Sequence, residues 1–163
     1  MEKDDMITLL KKYKENKARL ELKKREKKMY EKRLAGYIEI ETSITGRVGL
    51  NLDIQSKNKI NDKVGDAVVN GINKNENRKK EAEQKIKELE TIIEELEYKV
   101  EEVNIMLGAL YYKEREILTA YYIENRDAEE IGQNLYWQLY KRTCTAENIY
   151  KIVQRGTDIL LRL

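Results

Sequence analysis

The sequence predicts an all-α protein, and three observations predict it. None of the 163 residues is a proline, so nothing in the chain forces a helix to stop, and 38% of the residues are charged. Lys, Glu, Leu and Ile supply good helix formers and apolar positions. An apolar residue also recurs at alternating steps of three and four between residues 86 and 110, as in a coiled coil.

The N-terminal third is predicted to be one long helix over residues 5–40, with its apolar stripe interrupted by charge between residues 19 and 28. Residues 41–55 contain β-branched residues, two glycines and asparagine, which predict a loop, with short strands as an alternative. Ser56 is a candidate N-cap for a short helix that runs toward Asn70 and Gly71.

The regular apolar seam is the strongest structural signal in the sequence. It consists of Ile86, Leu89, Ile93, Leu96, Val100, Val103 and Leu107. A seam this narrow must be covered by another helix, from a second copy of the chain or from residues 5–40 folded back antiparallel. Residues 1–35 contain thirteen Lys/Arg against seven Asp/Glu, and residues 81–102 contain three against nine, which favours the second arrangement or a mixture of both. We therefore predict that residues 1–107 form a coiled-coil region, which would act as an oligomerisation stem, with a homodimer as a candidate assembly.

The apolar and capping pattern of residues 108–163 predicts three successive helices. The first runs from Leu110 to about Glu124, and the second begins with Asp127-Ala-Glu-Glu130, which has the form of a capping box, and continues to Leu135. Gly132 would allow a neighbouring helix to approach closely. Residues 136–144 then form a connection longer than the usual three or four residues, and Thr145 caps the third helix. We interpret this succession as a helix-turn-helix domain.

The third helix has an apolar face and a polar face that could contact DNA. Residues 136–155 contain four Lys/Arg and one acid, whereas residues 108–135 contain three Lys/Arg and six acids. The basic side is therefore the side predicted to contact double-stranded DNA. The candidate DNA-binding residues are Lys141, Arg142, Thr145, Glu147, Asn148, Lys151, Gln154 and Arg155. We interpret three aromatic residues as packing over a small core, with stacking on DNA or a partner as the alternative. They are Tyr136, Trp137 and Tyr140.

This C-terminal segment resembles region 4 of the sigma-70 family, through the runs that begin at Leu110, Asp127 and Thr145. More narrowly, it is similar to phage regulators of the ArpU and RinA type. The resemblance implies an activator of late phage genes that reads a promoter-proximal site. It places Thr145, Glu147, Asn148, Lys151 and Arg155 at groove-facing positions and leaves contact with RNA polymerase open. Gly132, where the family usually has alanine, and the long connection over residues 136–144 depart from the pattern.

Other functional classes find little support in the sequence. There is no histidine, and the single cysteine, Cys144, has no second cysteine with which to hold zinc, so no metal site or cofactor is expected. The acidic residues lie in solvated helical runs, and we expect no catalysis. No signal peptide or membrane span is expected, which predicts a cytoplasmic protein. Two alternatives to a transcription regulator remain: a DNA-packaging subunit like a small terminase, and a structural coiled-coil adaptor.

Overall fold

All the secondary structure in the described part of the chain is helical, which confirms the all-α prediction. The structure, a computed structural model, describes residues 2–48 and 63–162. The α-helices are α1 (Lys3–Lys11), α2 (Tyr13–Val48), α3 (Lys63–Gly108), α4 (Tyr112–Leu118), α5 (Ala128–Glu130), α6 (Tyr136–Tyr140) and α7 (Ala146–Leu160). Two π-helical turns, Thr119–Ile123 and Ile131–Leu135, extend α4 and join α5 to α6.

The chain forms two compact units. One consists of Leu22–Ile93, and the other of Met1–Glu21 together with Glu94–Leu163. The second unit therefore combines the C-terminal helices with two segments that the sequence analysis assigned to the stem, Met1–Glu21 and residues 94–107.

In the unit formed by Leu22–Ile93, α2 and α3 run antiparallel. The Lys27 ammonium lies 2.9 Å from a Glu90 carboxylate oxygen, and farther along α2 the Asn75 side chain donates a 3.1 Å hydrogen bond to the carbonyl of Tyr37. The bond to Glu90 raises the pKa of Lys27. Ala82, Leu89 and Ile93 are buried on the inner side of α3.

In the unit that contains the C-terminal helices, α1 contributes to the same core as α3 and α7. Met6 and Leu10 are almost fully buried, in one cluster with Val103 of α3 and Val153 of α7. The Tyr13 hydroxyl donates a 2.8 Å hydrogen bond to Asn104. The end of α3 and the beginning of the chain are thus tied together by apolar burial and by a polar contact at its edge.

The predicted seam is buried within a single copy of the chain. Leu89, Ile93, Leu96 and Val103 are buried, and Ile86, Val100 and Leu107 are half-buried. In each unit the contacts described above place the N-terminal helical segments of the same chain beside α3. Covering this seam therefore does not require a second copy, and the homodimer through it stays a prediction.

Three predicted boundaries in the N-terminal half were wrong. The helix predicted over residues 5–40 is interrupted at Lys12, where ψ is −1°, and it then continues to Val48. Residues 41–48 are accordingly helical, not a loop, while residues 49–62, including Ser56, lie outside the described residues. Gly71 lies inside α3, not at a helix end. Apart from the backbone of its own helix, nothing in the structure lies within 4 Å of the place where its Cβ would be. A helix interior tolerates such a glycine at a cost of about 1 kcal/mol.

Candidate nucleic-acid interface

The first C-terminal helix ends where the sequence predicted. α4 continues into the π-helical turn Thr119–Ile123, in which the amide of Glu124 donates to the carbonyl of Thr119 at 2.9 Å. Asn125 then adopts a left-handed conformation, with φ of 55°, a conformation that asparagine tolerates better than most residues. The first C-terminal helix ends there, and both it and the second helix contact α7.

The predicted capping box at Asp127 does not form. Asp127 has the extended conformation of an N-cap residue, but its side chain accepts no cap hydrogen bond. The Glu130 carboxylate is 2.8 Å from the guanidinium of Arg126, so it does not reach back to the helix start. Arg126 donates to this carboxylate oxygen from both Nε and Nη2, at 3.1 and 2.8 Å, whereas a backbone amide offers a single donor without a full charge, which favours the pair with arginine.

The second helix is longer than predicted, and the turn after it is shorter. The helix continues from Ala128 through α6 to Tyr140 and ends at Lys141, which is left-handed with φ of 58°. The predicted long connection over residues 136–144 is therefore wrong. Residues 141–144 form a four-residue turn, which is the usual length in a helix-turn-helix motif.

Gly132 allows this turn to lie directly on the second helix. The amide of Cys144 donates a 3.0 Å hydrogen bond to the carbonyl of Gly132. A Cβ at residue 132 would collide with the carbonyl oxygen of Cys144, which is a backbone atom and cannot rotate away. A close approach at Gly132 is confirmed, but the prediction of a neighbouring helix was wrong: the group that approaches is the turn that leads into α7.

The third helix, α7, begins at the predicted cap and buries one face. The amide of Asn148 donates a 3.4 Å hydrogen bond to the Thr145 hydroxyl. Ile149, Val153, Gly156, Thr157 and Leu160 are buried. A Cβ added to Gly156 would lie against the side chain of Leu118 in α4. The glycine therefore lets α7 pass close to α4.

All eight candidate DNA-binding residues are exposed. Lys141 and Arg142 lie in the turn, Thr145 lies at the cap, and Glu147, Asn148, Lys151, Gln154 and Arg155 lie on α7. The Lys151 ammonium lies 2.7 Å from the Glu147 carboxylate, but both side chains are more than half exposed, so the pair adds little stability and can separate. The turn and the outer side of α7 thus form a continuous polar surface, which we call the α7 face.

The predicted aromatic cluster divides between core and surface. Tyr136 is buried and stacks on Tyr140 with ring centroids 4.4 Å apart, as expected of a core seal. Burial raises the pKa of the Tyr140 hydroxyl. Trp137, in contrast, is half exposed, and the Lys141 ammonium lies 5.2 Å from its ring centroid, beside the α7 face.

Sequence analysis missed Tyr150, which lies at the edge of the α7 face. Its ring meets Tyr121 edge to face, with centroids 6.0 Å apart, while half of its surface stays exposed. Burial raises the pKa of Tyr121. A half-exposed ring with a braced inner edge can pack on a sugar or a base. The signal in the sequence is that Tyr150 follows Glu147 by three residues, which places the two side chains next to each other on the helix surface.

No cluster of three or more possible metal ligands occurs in residues 2–48 and 63–162. In the same part of the chain, no helix is both long and apolar enough to cross a membrane. Comparison with known proteins found no matching family model, no matching curated protein and no matching solved structure.

Proposed function

We propose that residues 108–163 form a helix-turn-helix domain and that the protein is a DNA-binding transcription regulator. One observation carries the proposal: α7 is capped by Thr145, buries one side and presents a wholly exposed polar side, directly after a four-residue turn. This is the relationship that a reading helix needs, because the preceding helix supports it while its outer side stays free for the major groove.

The chemistry of the α7 face supports two kinds of DNA contact. Asn148 lies in the first turn of α7, where an amide can make paired hydrogen bonds to adenine. Lys141 and Arg142 in the turn, and Arg155 farther along α7, are cations that can neutralise phosphates. The first turn of α7 would therefore contact bases, and the cations around it would contact phosphates.

The resemblance to phage regulators of the ArpU and RinA type adds the biological part of the proposal. On that basis the protein would activate late phage genes, such as those for packaging or lysis, from a promoter-proximal site. Chromatin immunoprecipitation from cells in which the phage or prophage has been induced would identify the bound sites.

Direct DNA binding can be tested by fluorescence anisotropy of labelled duplexes over a range of salt concentrations. We expect affinity to fall steeply as salt rises, since each phosphate contact releases condensed counterions. Lys141→Glu combined with Arg142→Glu should weaken binding strongly. The matched control is Arg78→Glu combined with Lys80→Glu, which reverses two exposed charges on α3 and should leave binding nearly unchanged.

Two results would overturn the proposal. The first is an absence of binding at low salt to any duplex from the neighbourhood of the encoding gene. The second is an equal loss of affinity in the two double variants, because DNA would then respond to overall charge and not to the α7 face.

A further inference from the structure

An acidic strip with two exposed apolar side chains lies on the outer side of α3, at its C-terminal end. Tyr98 and Ile105 are 71% and 63% exposed, although both are large and apolar. They are seven residues apart and therefore lie on one helix face, with Glu101 and Glu102 between them. We call these four residues the acidic strip.

The acidic strip borders a groove within the unit that contains the C-terminal helices. The groove has a volume of about 390 Å³, and its apolar floor includes Met106 from α3 and Leu160 and Leu161 from the end of α7. A groove of this size accommodates one or a few apolar side chains. It lies beside the C-terminal end of α7, whereas the cap and first turn of the α7 face lie at the opposite end of that helix.

A second pair of exposed apolar side chains with the same spacing occurs in the other compact unit, on the outer side of α2. Leu22 and Met29 are 63% and 42% exposed and are also seven residues apart. Glu26 lies on the same face, where it pairs with Lys23 at 2.7 Å. Arg25 and Lys32 each follow one of the two apolar residues by three positions on this face, and both are exposed. We call Leu22, Arg25, Met29 and Lys32 the basic strip.

The two strips match in the spacing of their apolar residues, and the charged side chains that define each strip are of opposite sign. In the described part of the chain, Glu101, Glu102, Arg25 and Lys32 form no ion pair. Two acidic strips would repel each other, as would two basic strips, so a contact between identical surfaces is disfavoured. When an acidic strip meets a basic strip, the apolar side chains pack together and the flanking charges attract each other. A coiled coil has the same arrangement, with apolar residues at a and d and opposite charges at e and g.

We propose that a second copy of this chain docks its basic strip on the acidic strip of the first, with Leu22 or Met29 entering the groove. This surface is separate from the apolar seam of α3, which is covered within one copy. The contact joins different surfaces of two copies. If both copies make it reciprocally, the result is a closed dimer with two-fold symmetry; if they do not, the contact is heterologous and extends to rings or larger assemblies.

Sedimentation velocity of the full chain, without DNA, tests this proposal over a range of protein concentrations. The wild type should self-associate, and rising salt should weaken the association, because the attracting charges are exposed to solvent. Arg25→Glu combined with Lys32→Glu should raise the apparent dissociation constant at least about tenfold, and so should Glu101→Lys combined with Glu102→Lys. The control pair Arg78→Glu and Lys80→Glu should associate like the wild type.

Mixing the two interface variants gives the decisive result. The variant with Arg25→Glu and Lys32→Glu has two acidic surfaces, and the variant with Glu101→Lys and Glu102→Lys has two basic ones. Each should be monomeric alone, while the equimolar mixture should associate in a 1:1 ratio, as a dimer or as a larger assembly in which the variants alternate. A monomeric wild type at every soluble concentration overturns the proposal, as does a mixture that stays monomeric or an interface variant that associates like the wild type. Each outcome is independent of DNA binding, because no DNA is present.

Discussion

The Tyr122 hydroxyl and the Thr157 hydroxyl lie 3.3 Å apart in the buried contact between the first C-terminal helix and α7. Thr157 is fully buried, and its hydroxyl donates to the Val153 carbonyl at 2.8 Å. A hydroxyl has one proton, so Tyr122 must be the donor in the contact between the two side chains. The hydrogen bonds therefore run in one direction, from Tyr122 to Thr157 and from Thr157 to the Val153 carbonyl, and they fix the rotation of α7 relative to the first C-terminal helix.

Replacing Thr157, the acceptor of this bond, should lower the unfolding free energy more than replacing Tyr122, the donor. Thr157→Val keeps the side-chain volume but leaves the Tyr122 hydroxyl without its partner, and we expect a loss of about 1–3 kcal/mol in unfolding free energy. Tyr122→Phe leaves the bond from Thr157 to Val153 intact and should cost about 0.5–1.5 kcal/mol. In urea denaturation, the double variant should lose less than the sum of the two, and strict additivity would contradict the contact.

Gly132→Ala should destabilise the protein although alanine is the better helix former. The added methyl group meets the Cys144 carbonyl oxygen, and moving the turn should cost about 1–3 kcal/mol or more. Gly36→Ala is the control, because nothing in the structure lies near its Cβ position, and it should gain about 0.5–1 kcal/mol. Thermal melting of both variants would show shifts of opposite sign, and equal shifts would contradict the close approach.

The α7 face should separate base reading from phosphate binding. Asn148→Ala should lose about 1–3 kcal/mol of preference for the cognate site while it keeps non-specific binding. Arg155→Ala should weaken all DNA about equally and lower the salt slope by about one unit. Competition titrations with cognate and scrambled duplexes at several salt concentrations measure both effects. An Asn148→Ala variant with wild-type discrimination would mean that α7 meets DNA in another orientation.

The α3 seam should not tolerate a charge. Leu96 is 5% exposed, so Leu96→Asp buries a carboxylate without a partner and should cost several kcal/mol of stability. Thr91→Asp introduces the same group at an exposed position of α3 and should change stability little. Circular dichroism during thermal melting compares the two variants, and equal melting temperatures would show that the seam does not pack.

The sequence was informative where one residue type performs one local task. Thr145 was recognised as a cap because a hydroxyl at that position satisfies a free amide, and the structure has that bond. Leu89, Leu96 and Val103 were recognised as seam residues because burial on one helix face requires their spacing. Neither inference depends on what lies elsewhere in the chain.

Errors arose where tertiary contacts decide the local structure. The π-helical turn Thr119–Ile123 adds a residue to one turn and lets Tyr122 and Ile123 face the same core, which a helical period of 3.6 does not anticipate. The end of the second helix was misplaced because Lys141 serves as a left-handed cap where glycine is the usual signal. The exchange of Glu130 from a capping box to Arg126 likewise depends on a side chain that precedes the cap.

The burial of α1 also has a consequence for the order in which the protein acquires its structure. Met6 and Leu10 belong to the same core as Ile117 and Ile149, so segments more than a hundred positions apart must meet. During synthesis α1 leaves the ribosome long before its partner helices have been made. The entropy lost in closing so large a loop opposes the contact until the apolar side chains pack and stabilise it. The C-terminal helices therefore complete the core only after translation of the last third, and nascent chains expose Met6 and Leu10 until then.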